Sequence, residues 1–323
     1  MSISRRKFLE TTAAGALAAN SLSAAKGSAD MPTRVLGKTG VNVSILAFGS
    51  GSRYLSYSDD EALVAVQKAI DLGINYFDSA DDYGNHRSER NIGKAIKGRR
   101  DSLFLATKLS NRDPEKSFAI IEESLKSFQT DHLDLLHIHA LLGDEDLAKL
   151  EAKGGVIDQV LKMRDQKMTR FIGITSHMDP TTLKTALEHH DFDVTQMALN
   201  GALVGMKNGK GGMVPNADMT TSFETVALPV ATRKKIGVIA MKVMAQDALV
   251  GKADTSKLMY YSLSLPVSAV VIGMPKLDHI EENCRLAKAF KPISPSDRKT
   301  MSDDLSTKYK AQLDHFFSNH IDA

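Results

Sequence analysis

"RFIGITSHMDPTTLKTALEHHDFDVTQMALN", residues 170–200, reads as strand, helix, strand. "RFIGITS" (170–176) and "VTQMALN" (194–200) are short apolar runs of the kind that form buried strands. Between them, "DPTTLKTALEHH" sets an aspartate ahead of a proline, an N-cap followed by proline at the first helical position. The same alternation recurs along the chain. "SILAFGSG" (44–51), "NYFDSA" (75–80), "LFLATKL" (103–109), "LDLLHIHAL" (133–141), "GVIAMKVM" (237–244) and "AVVIGM" (269–274) are six further strand candidates. "DDEALVAVQKAIDLG" and "DPEKSFAIIEESLKSF" are helix candidates that also open on Asp or Asp-Pro. Eight strands with intervening helices and right-handed crossovers close most naturally into an α/β fold of the (β/α)8 TIM-barrel type. An open doubly wound sheet is the alternative, but no GxGxxG follows the first strand.

Working outward, "RVLGKTGVNVS" reads as an N-terminal β-hairpin with Gly37 and Gly40 at its turn, placed to plug the bottom of the barrel. The tail 291–323 reads as a C-terminal helical extension, so residues 31–323 make one barrel domain. "GALVGMKNGKGGMVPNADMT" (201–220) is long for a barrel connection and suits a lid or substrate wall, while its "GKGG" is not a phosphate-loop signature. The composition, 42% hydrophobic and 25% charged over 323 residues, is that of a globular protein. A net charge of +2 without a cationic block argues against a nucleic-acid partner. The lone cysteine, Cys284, excludes an intramolecular disulfide and sits at helical spacing in "EENCRLA", where packing explains it.

Residues 1–30 stand apart from this pattern. Arg5 and Arg6 precede Phe8 and Leu9 and an Ala-rich run ending near Ala24 or Ala25, a segment that resembles a twin-arginine export signal. That resemblance implies a periplasmic or exported protein, with the twin-arginine translocation machinery as a transient partner. Cutting after Ala25 removes Arg5, Arg6, Lys7 and Glu10 and leaves a near-neutral chain with no stable membrane anchor, since no later run reaches about 18 apolar residues.

In a barrel of this kind the reactive residues lie at the carboxyl ends of the strands. Asp78 ends the second strand and Tyr83 lies in the loop behind it; Lys108 is near the end of the third strand and His139 near the end of the fourth. A phenol with a reference pKa of about 10 is a poor acid near neutrality unless a cation favours its phenolate. Lys108 supplies that cation and is expected to lower the pKa of Tyr83; Asp78 holds the ammonium, and His139 orients a carbonyl oxygen. His137 shares a face with His139 but lies deeper, as a hydrogen-bonded barrel-core histidine. Arg53 and Tyr54, after the first strand, are placed to line the substrate pocket. Two other readings use the same residues: a metal-dependent hydrolase built on His137, His139 and Asp78, or a non-catalytic dinucleotide-binding barrel.

The ordered set in "FDSADDYGNHRSERNIGKAI", "ATKLS", "HLDLLHIHAL" and "RFIGITSH" strongly resembles the aldo-keto reductase family. The resemblance implies an NAD(P)-dependent oxidoreductase, with Tyr83 as proton donor, moving a hydride between nicotinamide and an aldehyde, ketone or alcohol. It implies no metal. Ser176 and Gln196 match the family's residues for the nicotinamide carboxamide, with His177 where asparagine is usual. Met241 stands where a tyrosine commonly stacks beneath the ring. Gly273 and the helix start after "GMPKL" fall beside the adenosine phosphate, and Glu282 and Asn283 match the adenine-side pair. Lys242 and Lys276 are candidate 2′-phosphate partners, which favours NADP(H) over NAD(H).

Overall fold

The computed structural model describes residues 31–209 and 212–308. Eight parallel strands form the barrel: β1 (Leu46–Gly49), β2 (Tyr76–Asp78), β3 (Phe104–Leu109), β4 (Leu133–Ile138), β5 (Thr169–Ser176), β6 (Val194–Ala198), β7 (Gly237–Met241) and β8 (Ala269–Gly273). Each pairs with its sequence neighbours, and β8 returns to β1 through the register Gly273↔Gly49, which closes the barrel. The helices between them are α1 (Asp59–Asp71), α2 (Arg87–Ala95), α3 (Ser117–Phe128), α4 (Asp144–Glu151), α5 (Val156–Asp165), α6 (Pro180–His189), α7 (Phe223–Val226), α8 (Leu228–Arg233) and α9 (Thr255–Leu263). After β8 come α10 (Leu277–Lys288) and α11 (Pro295–Lys308), the latter being the expected C-terminal extension. All eight strands lie within the expected runs or one residue beyond them, because strands covered on both faces stand out as continuous apolar segments.

The barrel is filled in layers. Its lower interior holds Ala47, Tyr76, Phe104, Leu135, Val194, Ile239 and Ala269, with the Tyr76 and Phe104 rings stacked at 5.1 Å. Above them lies a polar layer of buried Asp78, Lys108, His137 and Gln196. The expected hairpin closes the floor: Thr33–Val35 pairs antiparallel with Asn42–Ser44, and Leu36 and Val43 join the interior cluster. Gly37 has φ +50°, and a Cβ there would meet the backbone nitrogen of Gly237, at the start of β7, at 2.1 Å. That turn requires glycine twice over, for conformation and for space.

Helix starts depart from expectation in two of three cases. Ser58, not Asp59, caps α1, in a capping box with Glu61. Asp113-Pro114 opens a turn ahead of α3, which begins only at Ser117. Asp179 caps α6 as expected, with Pro180 next. The 201–220 loop contains a small hairpin, Met206–Gly209 with Gly212–Pro215, hung from the barrel by the Met206 amide on the His177 carbonyl at 2.6 Å. The export-signal reading falls on residues 1–30, outside the described residues. No helix among the described residues is long and apolar enough to cross a membrane.

Candidate active site

The polar layer and the loops above it bring Asp78, Tyr83, Lys108 and His139 together. Register pairs the last residue of β2, Asp78, with Ala106, two residues below Lys108 on the same inward face of β3. Lys108 Nζ lies 2.7 Å from Asp78 Oδ2, 2.6 Å from the Ser79 carbonyl and 3.3 Å from the Tyr83 hydroxyl. It is 1% exposed. A buried ammonium is costly unless paired; here burial opposes the charge, but Asp78 and Tyr83 outweigh it and raise Lys108 above its ordinary pKa. Tyr83 shows the reverse balance. Burial pushes its phenol up, and Lys108 pulls down by less, because Asp78 offsets much of the lysine's charge. The expectation that Lys108 would bring Tyr83 below its ordinary value is therefore corrected: the lysine limits a rise.

The end of β2 is pinned by three hydroxyls that sequence reading missed. Ser79 Oγ donates to Ser88 Oγ at 2.9 Å, Ser88 Oγ to Ser50 Oγ at 2.6 Å, and Ser50 Oγ to the Asp78 carbonyl at 2.8 Å. Gly51 leaves room for the Tyr83 ring, since a Cβ there would sit 3.3 Å from it. His139 packs edge-on to Tyr83 with ring centroids 5.7 Å apart. Its Nδ1 lies 2.8 Å from Ser110 Oγ and 3.4 Å from Asp82 Oδ1. Burial works against charge on Asp82, but hydrogen bonds from His139 and Ser110 bring its carboxyl below the usual range. The adjacency of Asp82 to Tyr83 in "SADDYG" is the only signal the sequence holds for this contact.

Other expected positions sort themselves. Ser176 is buried at the end of β5 and donates to the Leu141 carbonyl, which leaves its oxygen able to accept. Gln196 Oε1 and His177 Nδ1 are buried without a hydrogen-bond partner. A carboxamide satisfies polar atoms of that kind, so the residues present fit a nicotinamide. Burial, then the charge of Lys242, bring His177 down to about 3, so its imidazole is neutral. Met241 faces the interior with its sulfur 3.7 Å from Gln196 Nε2. Gly273 is exposed at the top of β8, Lys276 is the N-cap residue of α10, and Asn283 is buried beside exposed Glu282.

Other expectations are corrected. Tyr54 does not line the pocket: a 3-10 turn swings it inward, where it is 1% exposed, edge-on to Phe48 and bonded to the Ala62 carbonyl. Arg53 stays at the surface in an ion pair with Asp247. Lys242 has a left-handed backbone, bonds Gln246 at 2.7 Å, and falls to about 8 through burial. His137 is a barrel-core residue, yet neither ring nitrogen has a hydrogen-bond partner. Its ring lies against Gly173, and burial holds it well below its ordinary pKa. Among the described residues the metal-capable groups contain neither Asp78 nor His137, and His139 falls in one with Asp81 and Asp82, so the ligand set of the hydrolase reading is not brought together and that reading is not favoured.

Comparison with known proteins agrees with this geometry. The model of the aldo/keto reductase family matches residues 46–263. L-galactose dehydrogenase of Arabidopsis thaliana is 28% identical over 298 residues, covering 84% of this chain and 92% of the relative. An uncharacterized oxidoreductase of Bacillus subtilis is 26% identical, covering 87% of this chain and 99% of the relative. Among solved structures, the holo form of an aldo-keto reductase from Bacillus halodurans superposes with a TM-score of 0.69 at 23% identity, covering 85% of this chain and 96% of that one.

Proposed function

The chain belongs to the aldo/keto reductase family and is an NAD(P)-dependent oxidoreductase; from that premise we propose that Tyr83 is its general acid and that Asp78, Lys108 and His139 complete the reacting centre. The observation that carries this is the buried Lys108 ammonium shared between Asp78 at 2.7 Å and the Tyr83 hydroxyl at 3.3 Å. When bound, the nicotinamide supplies the hydride. Tyr83 gives its phenolic proton to the carbonyl oxygen, and Lys108 stabilises the phenolate that remains. Burial keeps the phenol protonated until that moment, so the acid is fully loaded at neutral pH. Ser110 and Asp82 hold His139 at Nδ1, which leaves Nε2 as the ring nitrogen that meets the same carbonyl oxygen. Ser176, His177 and Gln196 hold the carboxamide, and Met241 packs beneath it.

NADP(H) is preferred over NAD(H) in this reading, and the 2′-phosphate contact rests on Lys276, because Lys242 is turned toward the reacting end. The likeness to L-galactose dehydrogenase makes aldoses the first substrates to try. Export by the twin-arginine route belongs to the same proposal and rests on Arg5-Arg6 ahead of Phe8-Leu9.

Tyr83→Phe keeps the ring and removes the proton, and kcat is expected to fall by about 10²- to 10⁴-fold with dinucleotide affinity intact. Lys108→Met acts on the same proton, so adding it to Tyr83→Phe costs much less than the two single effects combined. Stopped-flow cofactor oxidation with a reactive aldehyde measures both. Full activity in Tyr83→Phe, or strictly additive losses, would remove the phenol from its role.

A further inference from the structure

We propose that Glu151, His189 and His190 form a binding site for a borderline divalent ion of the Zn2+ class, which staples the end of α4 to the end of α6. Glu151 is the last residue of α4 and His189 the last of α6, with His190 the residue that terminates it. One carboxylate oxygen, Glu151 Oε1, lies 2.9 Å from His189 Nδ1 and 2.8 Å from His190 Nε2. The three candidate donor atoms all lie within 4.8 Å of one another.

A tetrahedral zinc with bonds of about 2.0–2.1 Å places its donors roughly 3.3 Å apart. The two short pairs therefore need to open by only about 0.5 Å to admit the ion. Two imidazoles and a carboxylate suit Zn2+ and disfavour Mg2+ or Ca2+, which prefer all-oxygen sets. Two helix carboxyl ends meet here, and their partial negative charge favours a cation. The nearby cations are engaged: Lys234 Nζ donates to the Leu187 and His190 carbonyls, and Arg233 pairs with Glu188. The His190 ring is steadied against Phe192 at 5.7 Å. His189 is 54% exposed, which leaves an open path and a fourth position for water.

Both helices run antiparallel to the strands, so their carboxyl ends lie at the floor of the barrel, away from Tyr83. The ion is structural. The test uses untagged full-length protein freed of metal with EDTA. Calorimetric titration with Zn2+ is expected to give one equivalent per chain, a thermal midpoint raised by several degrees, and visible absorption bands when Co2+ replaces it. Glu151→Gln and His189→Gln are expected to abolish all three and leave reductase kcat unchanged, while His139→Gln keeps them. No binding at millimolar Zn2+, binding that survives in the His189→Gln/His190→Gln double variant, or binding lost only in His139→Gln would overturn the assignment.

Discussion

Replacing Ser110 by alanine removes the 2.8 Å contact to His139 Nδ1 and leaves Asp82, 3.4 Å away, as the other polar contact of that nitrogen. The imidazole then loses part of its orientation. Steady-state kcat/KM is expected to fall by about tenfold in Ser110→Ala and by up to about 10²-fold when Asp82→Asn is added, with dinucleotide affinity unchanged. Equal kcat/KM in all three proteins would mean that packing against Tyr83 alone aims the ring. The difference between what was legible here and what was not is physical. Asp78 and Lys108 sit on strands and His139 just beyond one, where alternation fixes the direction of the side chain; Tyr83 follows close behind a strand end. Ser110, Asp82 and the Ser50–Ser88–Ser79 chain act across loops, and loop direction is set by the tertiary fold. Tyr54 was misplaced for that reason: its position after β1 was right, while the 3-10 turn that points it inward has no signature in "GSRYLS". The sign of the Tyr83 shift was illegible because desolvation depends on what covers the ring.

At the scale of the element, β5 carries the tightest steric demand among the barrel strands. A Cβ at Gly173 would come within 2.4 Å of His137 Nδ1 and 2.5 Å of the Val194 carbonyl. Neither the neighbouring strand nor a ring sealed in the barrel has room to retreat. Gly173→Ala is expected to destabilise by about 1–3 kcal/mol, as overpacked cores do. Denaturant unfolding measures it, and wild-type stability in the variant would show that the His137 ring turns aside freely. The strands were legible as elements because they are apolar on both faces; the helix starts were less so, since Ser58 and Asp59 are both good caps and geometry chooses between them. The loop after β7 was not legible at all. Lys242 and then Ala245, Gln246 and Asp247 take positive φ, a conformation their residue types do not advertise, and the loop so formed sets Gln246 against Lys242 and Asp247 against Arg53.

For the molecule as a whole, buried histidines set the response to acid. Burial depresses both His137 and His177 below the unfolded value of about 6.5. A neutral folded histidine contributes stability that is complete above that value and is lost as pH falls, because the unfolded chain takes up the proton first. His177, at about 3, is expected to account for about 2 kcal/mol of lost stability at pH 5. His86 works in the opposite direction: its hydrogen bond to buried Glu89 outweighs burial and raises it, so its contribution is present in acid and fades as pH rises through its folded value. Guanidinium unfolding at pH 5, 6.5 and 8 is expected to give the lowest stability at pH 5. His177→Asn should soften the acid loss, and His86→Gln should flatten the alkaline side. Acid sensitivity unchanged in His177→Asn would shift the burden to His137. The floor hairpin has a different kind of consequence. The chain joins the barrel there, through Met31 and Pro32 beside Ile45, while the reaction takes place at the opposite mouth. The described chain therefore enters the barrel at its closed end, so protein lacking residues 1–30 is expected to turn over substrate at the same rate as the full chain, which steady-state kinetics checks.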